Sequence, residues 1–398
     1  MGATYRFSNR RWPTEMDFEL NREQAALREL MQQFVGKSIA PVARDWEHAG
    51  RYPTEIVEEM KTMGLFGMLV PEEYGGIGLD AVSYAIVFEE ISRGWMGVAG
   101  ILGSHSLSTL MLARNGTEEQ KQRWLPDLAT GKRRSGIGLT EPVAGSDLQS
   151  IQTVAQRIGG YYEVRGTKTW ITNARYADPL PVLVKTDLNA QPRHRGMSIL
   201  MVEKGTPGFS VGKDLPKLGY KGTESCEVIL DGAIVPVDNL LGGEEGKGLQ
   251  QALSSLEFGR INVAARSVGI AQAAYEKALA YSRDRYAFGQ PIAQFQAIQL
   301  KLADMATEVQ AARLLTWWAA SRADAGHRTD VESGMAKLFA SEVAIRSALD
   351  AMRIHGGYGY SQEFEIERLY RDAPLMAIGE GTNDILRTVI AKQLIKEG

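Results

Sequence analysis

Tyr161-Tyr162-Glu163-Val164-Arg165, followed by Thr169-Trp170-Ile171-Thr172, marks the place where the texture of this 398-residue chain changes. Both runs alternate or are rich in β-branched and aromatic residues, and similar short runs follow at 182–185, 198–202 and 227–230. Gly159-Gly160, Asn173, Pro207-Gly208 and Asp231-Gly232 separate them, the punctuation expected of antiparallel strands. On either side the period is helical. Leu27, Leu30, Met31, Phe34 and Val35 recur along one helix face behind an Asn21/Gln24 capping-box pair, and Thr117 with Gln120 opens another helix in the same way. Beyond Gly242-Gly243 and Gly246-Lys247-Gly248, helical spacing returns in Ile298, Leu302, Met305 and Val309, then in Met335, Leu338, Phe339, Val343 and Ile345. The order is therefore α, β, α. It describes an α+β multi-domain chain, with an all-α domain over 17–133, an antiparallel β domain over 134–243 and a second helical domain over 244–398.

Composition narrows the function. Hydrophobic residues make up 44% and charged residues 23%, with 42 Gly and 14 Pro in no repeating period, which excludes wholesale disorder and low complexity. A net charge of -3, and no basic block longer than Lys132-Arg133-Arg134, removes the footprint of a nucleic-acid binder. Apolar stretches such as 64–71 and 197–202 fall short of the roughly 18 residues of a spanning helix, so no membrane insertion is expected. Residues 1–17 mix Arg6, Arg10, Arg11, Glu15 and Asp17 without an apolar core, and read as no secretory signal. One cysteine, Cys226, allows neither an internal disulfide nor a metal cluster; it fits a reducing cytoplasm and reads as a small buried strand residue.

Five segments carry more than structure needs. Gly138-Leu139-Thr140-Glu141-Pro142-Val143-Ala144-Gly145-Ser146-Asp147 offers hydroxyls and free N–H groups to a heterocycle or phosphate, although a capped turn has the same residues. In Lys168-Thr169-Trp170-Ile171-Thr172-Asn173, strand alternation puts Trp170 and Thr172 on one face, where they could stack on and hydrogen-bond a planar ligand; a core Trp is the plain alternative. Arg283-Asp284-Arg285-Tyr286-Ala287-Phe288-Gly289, with Gln296 beyond it, places an arginine fork suited to pyrophosphate in what is otherwise a solvated charge run. Met352-Arg353-Ile354-His355-Gly356-Gly357-Tyr358-Gly359 has more glycine than one helix cap uses. In Gly379-Glu380-Gly381-Thr382-Asn383-Asp384 the hydroxyl or amide caps a helix, and Glu380 is left over. Behind the apolar residues 375–378, its pKa would rise toward that of a usable base.

In this order and at these distances the segments resemble the acyl-CoA dehydrogenase family of flavoproteins, over nearly the whole chain from Asp17 to Lys396. The resemblance implies an N-terminal helical domain, a middle β-barrel domain and a C-terminal four-helix bundle. It also implies non-covalent FAD, a homotetramer, an acyl-CoA substrate and electron-transferring flavoprotein as acceptor. By the same resemblance Leu139, Thr140 and Ser146 contact the flavin edge and phosphates, and Trp170, Ile171 and Thr172 flank its ring. Arg285, Phe288 and Gln296 reach the FAD of a neighbouring subunit. Arg353, His355, Gly356 and Gly357 approach that cofactor, and Thr382 and Asp384 close over it. Many relatives carry Gln where this chain has Arg353. For the thioester, Leu256-Glu257-Phe258-Gly259-Arg260 matches a family helix, with Glu257 and Arg260 as substrate contacts beside Ser146 and Gly381. Some branches place the catalytic Glu at the position of Gly259, so here the base falls to Glu380.

The implied reaction is α,β-dehydrogenation to a trans-2-enoyl-CoA, in fatty or amino acid catabolism. Val98 stands where decarboxylating glutaryl-CoA relatives place an Arg, which disfavours a dicarboxylate, and Gly97, Ala99, Gly100 and Gly103 suggest room for a medium or branched chain. Two alternatives keep the fold: an oxygen-using acyl-CoA oxidase or nitroalkane oxidase type, the latter with Asp as base, and a non-catalytic FAD or acyl-CoA binder.

Overall fold

The computed structural model describes residues 19–397; residues 1–17, read above as no targeting signal, lie outside the described residues. In chain order come α1 (Arg22–Phe34), α2 (Ala40–His48), α3 (Thr54–Thr62), α4 (Ala81–Gly94), α5 (Met96–Asn115) and α6 (Glu118–Ala129). Six strands follow: β1 (Val154–Ile158), β2 (Tyr161–Thr172), β3 (Leu180–Lys185), β4 (Met197–Val202), β5 (Phe209–Asp214) and β6 (Ser225–Pro236). After α7 (Gly248–Asp284) and the small hairpin β7 (Tyr286–Ala287) and β8 (Gln290–Pro291) come α8 (Gln296–Asp324), α9 (Asp330–His355), α10 (Ile366–Ile378) and α11 (Asn383–Glu397). Contacts divide the chain into two compact units, one of Val35–Asp80 and Gly94–Asn262, the other of the residues through Phe34, Ala81–Arg93 and the residues from Val263 on.

The first unit holds the sheet, in the order β4-β3-β1-β2-β6-β5. Its inner face buries Tyr162, Val164, Ile171, Val182, Val184, Leu200, Val202, Val228 and the free Cys226. Residues 161–165 and 169–172 turn out to be one twelve-residue strand, because Gly166 and Lys168 stay in register with β6. Asp231-Gly232 does not end a strand either: Arg165 pairs with Asp231 and Val164 with Ala233, leaving Gly232 as a bulge inside β6. Four of the neighbouring pairs are antiparallel, but β1 meets β3 in parallel at Val154 and Lys185. The reason is local: β2 overruns β1, and residues 138–140 fill the slot beside its far half, with Gly138 N–H donating to Pro181 O (2.8 Å), Leu183 N–H to Gly138 O (3.0 Å) and Thr169 N–H to Thr140 O (2.9 Å).

Helix α5 belongs to the same unit and amends the reading of apolar stretches. Its 20 residues are long and apolar enough to cross a membrane by length and composition, but most of them are buried inside the protein. It is a core helix.

In the second unit, α9 packs against α8, α10 and α11, and α7 reaches it through Tyr281 stacked on His355 at 4.2 Å. The Asn21/Gln24 capping box forms as read, with Gln24 N–H donating to Asn21 Oδ1 at 2.9 Å and Asn21 N–H to Gln24 Oε1 at 3.2 Å. Of the residues that recur along one face of α1, Leu30 is exposed. The face of α9 is also reassigned. Its buried side is built of small residues, among them Gly334, Ala336, Ala340, Ser341, Ala344, Ser347 and Ala348; of the apolar residues read there, Val343 is buried, whereas Met335, Leu338, Phe339 and Ile345 are only half-buried or exposed. Small side chains let neighbouring helices approach closely and leave the large ones facing outward.

Candidate functional site

In the sheet unit, the slot beside β2 brings two of the sequence segments together. Leu139 is buried, Thr140 is half-buried next to Thr169, and the loop closes through reciprocal hydrogen bonds between Glu141 and Ala144 (2.9 and 3.1 Å), leaving Ser146 exposed. A register shift between Lys168 and Ile171 turns Trp170 outward in the left-handed region (φ 62°), where it is 55% exposed. The core alternative for this tryptophan is therefore excluded. Thr172 is half-buried and Ile171 buried.

This stretch is fixed at both ends by groups that sequence reading passed over. Lys168, fully buried, donates to Glu141 Oε1 at 2.8 Å and Leu139 O at 3.2 Å. Glu141 also accepts from Gln152 N–H (2.5 Å), Thr153 N–H (3.0 Å) and Thr153 Oγ1 (2.6 Å). Burial raises the Glu141 pKa, but the ammonium and these donors outweigh it and hold the carboxylate below its usual range. At the other end Asn173 (φ 64°) donates through Nδ2 to Ile101 O of α5 (2.8 Å) and to Ser135 O (3.1 Å). His105 completes the anchor. Burial lowers its pKa to about 4, so the neutral ring accepts from Ser135 N–H at Nδ1 (3.1 Å) and its Nε2–H donates to Phe66 O (3.1 Å).

The same unit contains the first part of α7. Arg260 is buried, and Glu257 is half-buried and within electrostatic reach of Arg114, whose guanidinium lies over Phe258 at 4.8 Å. Burial lowers the Arg114 pKa against the pull of Glu257.

In the second unit Glu380 occupies the turn between α10 and α11, half-buried and in the left-handed region (φ 53°) ahead of Gly381 (φ 96°). Strain of that kind, in a residue other than Gly, persists only where the surroundings impose it. Here the clamp is Lys337 of α9, fully buried, which donates to Gly381 O (2.8 Å) and Asn383 Oδ1 (2.9 Å), while Asn383 Nδ2 donates to Ser341 Oγ and Glu342 Oε1 (both 3.0 Å). Thr382 caps α11 by accepting from Ile385 N–H at 3.3 Å, and Asp384 is exposed beside Arg387. The apolar wall read at 375–378 is the last turn of α10, so only Met376 points into the core and Ile378 is exposed.

Elsewhere in that unit Arg285, His355, Gly356 and Gly357 line one cavity of about 500 Å³ with Tyr281 and Tyr358. Burial lowers the His355 pKa, and its Nδ1–H donates to Ala351 O at 2.8 Å. A Cβ on Gly356 or Gly357 would meet nothing within 4 Å, whereas one on Gly359 would strike the Met352 backbone. Two glycines of the cluster thus leave open backbone, and the third serves helix packing. Phe288 (φ 53°) tips the β7–β8 hairpin at 96% exposure, Gln296 opens α8 exposed, and Arg353 turns to Asp350 at 3.3 Å.

The family models described as acyl-CoA dehydrogenase N-terminal, middle and C-terminal domain match residues 21–132, 136–233 and 246–395. An acyl-CoA dehydrogenase of Bacillus subtilis is 45% identical over 379 residues, covering 94% of this chain and 99% of the relative. The caffeyl-CoA reductase-Etf complex subunit CarC of Acetobacterium woodii is 39% identical over 380 residues, with coverage of 95% and 99%. Among solved structures, butyryl-CoA dehydrogenase from Megasphaera elsdenii superposes with a TM-score of 0.92 at 38% identity, covering 96% of this chain and all of that one.

Proposed function

This chain belongs to the acyl-CoA dehydrogenase family, and from that premise we propose that Glu380 is the base of its reaction. The protein is an FAD-dependent oxidoreductase acting on acyl-CoA thioesters. The donor set suits a flavin dinucleotide. Trp170 offers an outward aromatic face, Thr140, Ser146 and Thr172 offer hydroxyls, and Arg285 with the open backbone of Gly356 and Gly357 offers a charged, glycine-lined cavity. When bound, FAD supplies the acceptor for the β-hydrogen, which departs with its electron pair.

The chain's own residues supply the rest. Arg260 and Glu257 hold the thioester end of the substrate, with Ser146 and Gly381 as further contacts. Glu380 N–H donates to the thioester carbonyl oxygen and stabilises the charge that develops there as the Cα–H bond breaks. The Glu380 carboxylate takes that proton, the Cβ–H bond breaks in concert, and the C=C bond of a trans-2-enoyl-CoA forms. The observation that carries this assignment is the Glu380 turn itself: a carboxylate at positive φ between two glycines, clamped through Lys337 and Asn383. The geometry serves positioning, since proton abstraction from so weak an acid needs the base held in line.

Electron-transferring flavoprotein is the acceptor of this reading, supported by the Etf complex named for the Acetobacterium relative and by a structure from work on the electron transferring flavoprotein of Acidaminococcus fermentans, with a TM-score of 0.93 and 39% identity. A homotetramer in the cytoplasm, built from three domains with the ranges given above, completes it. The half-exposed apolar face of α9 and the exposed Phe288 supply contacts for assembly. Anaerobic titration of the holoprotein with straight and branched acyl-CoA thioesters tests the reaction. The oxidised flavin band is expected to bleach, with little oxygen uptake when the experiment is repeated in air. Rapid uptake instead would make the protein an oxidase.

A further inference from the structure

The glycines of α5 were read as room for the acyl chain, and the structure fills that room. A Cβ on Gly97 would meet Lys221 O at 2.9 Å and Trp95 Nε1 at 3.0 Å, and one on Gly103 would meet Asn262 Oδ1 at 3.0 Å. At Gly100 the occupation is complete: a Cβ there would overlap the hydroxyl and ring carbons of Tyr220. Glycine is needed at this point because the Tyr220 phenol lies directly on the helix backbone.

Tyr220 comes from the loop between β5 and β6, and the loop is held. Thr223 Oγ1 donates to Gly97 O of α5 at 2.7 Å, and Lys217 Nζ donates to Thr223 O at 2.9 Å. Tyr220 itself is 7% exposed and in the left-handed region (φ 58°), a conformation a bulky residue adopts only when its surroundings demand it. The surroundings are those of the candidate site. The strand following the loop begins by pairing Ser225 with Thr172, Asn173 is hydrogen-bonded to Ile101 next to Gly100, and Asn262, two residues past Arg260, covers Gly103. Tyr220 thus packs on the α5 backbone next to Ile101, the residue that anchors Asn173 at the end of the Trp170–Thr172 stretch, and one helical turn before Gly103, which Asn262 covers.

We propose that Tyr220 sets the substrate's chain length, its phenol taking the space over Gly100 that a longer or branched acyl chain would otherwise use, so that the enzyme takes short, straight acyl-CoA thioesters. This rests on the dehydrogenase reading above. A buried aromatic rejects extra methylenes sterically, and a pocket that differs by a few methylenes discriminates about tenfold or more.

The experiment compares butyryl-, hexanoyl- and octanoyl-CoA as reductants of wild type, Tyr220→Gly and Tyr220→Phe holoenzymes, each followed anaerobically by bleaching of the flavin band. Gly keeps the left-handed backbone while removing the ring, and Phe keeps the ring. Tyr220→Leu serves as a second opened variant should the Gly protein fail to fold. The ratio of octanoyl to butyryl rate, taken within one protein, is insensitive to a general loss of activity. Wild type and Tyr220→Phe are expected to favour butyryl-CoA, and the ratio is expected to rise about tenfold or more in the opened variants. An unchanged ratio in the opened variants, or a wild type that prefers octanoyl-CoA, would overturn the role of Tyr220 and leave the dehydrogenase reading intact. Failure of every thioester to bleach the wild type would overturn the reading itself, and Tyr220 with it.

Discussion

Glu224 is the last residue of the loop that carries Tyr220. It is 7% exposed, and its carboxylate oxygens find no hydrogen-bond partner among the described residues beyond its own backbone N–H. Burial pushes its pKa from 4.5 up to about 7; its own backbone N–H, Arg134 and Arg175 pull the other way, and Asp214 adds to the rise. A folded-state pKa above the unfolded one means that the native protein binds the proton more tightly. Its stabilising contribution is full below pH 4.5 and is lost as pH rises to about 7, a change on the order of 3 kcal/mol. Glu224→Gln removes the charge and keeps the shape. Thermal unfolding as a function of pH is expected to show the variant more stable than wild type at pH 8 and the difference closing toward pH 4. Parallel curves would mean that this carboxylate is solvated. At this scale sequence reading singled out the residues whose chemistry stood out from their segment, Trp170 and Glu380, and passed over those that hold them. The anchoring contacts of Lys337 and Asn173 carry no local signal, because the groups they bind, Gly381 and Ile101, are 44 and 72 positions away.

Among the elements, β2 does the most to assemble the candidate site, and a buried ion pair fixes where its loop partner lies. Lys168 and Glu141 are almost wholly buried, and loss of one partner from such a pair typically costs about 3–5 kcal/mol because the other charge is stranded. Lys168→Met is expected to unfold at lower temperature and to lose FAD on gel filtration. Adding Glu141→Gln should recover much of the stability without restoring FAD retention, since the tie to Leu139 O stays absent. Full FAD retention by the double variant would show that the tie does not position the loop. The legibility of the elements follows from what each buries. The runs at 182–185 and 198–202 were readable because nearly every side chain of β3 and β4 is buried. In contrast β1 and β5, mostly half-buried or exposed, present no apolar alternation and were not read. The same limit explains α9, where small residues face inward and the conspicuous large ones face outward.

For the whole molecule, the α, β, α order was legible and the packing was not. Sequence order separates three stretches, yet contacts join Ala81–Arg93 with the residues from Val263 on, through pairs such as Arg313 with Glu89 at 2.8 Å and Arg93 with Glu276 at 2.8 Å. Such long-range ion pairs have no signature in local periodicity. Assembly belongs to this scale too. Phe288, 96% exposed at the tip of the β7–β8 hairpin, is the residue through which the assembly reading is tested. Phe288→Asp is expected to lower the assembly state seen by light scattering and to weaken FAD retention while leaving the helical circular dichroism unchanged. Wild-type mass and flavin content in the variant would remove the hairpin from the interface.

The central claim is that Glu380 takes the α-proton, and one comparison tests it most directly. Glu380→Gln keeps the volume and polarity of the side chain and removes the base. In anaerobic titration with the best thioester, the variant is expected to retain FAD and still bind the acyl-CoA, seen as a perturbed flavin spectrum, while reduction of the flavin slows by about a hundredfold or more. Flavin reduction at the wild-type rate would contradict the account, because the proton would then be leaving to another group.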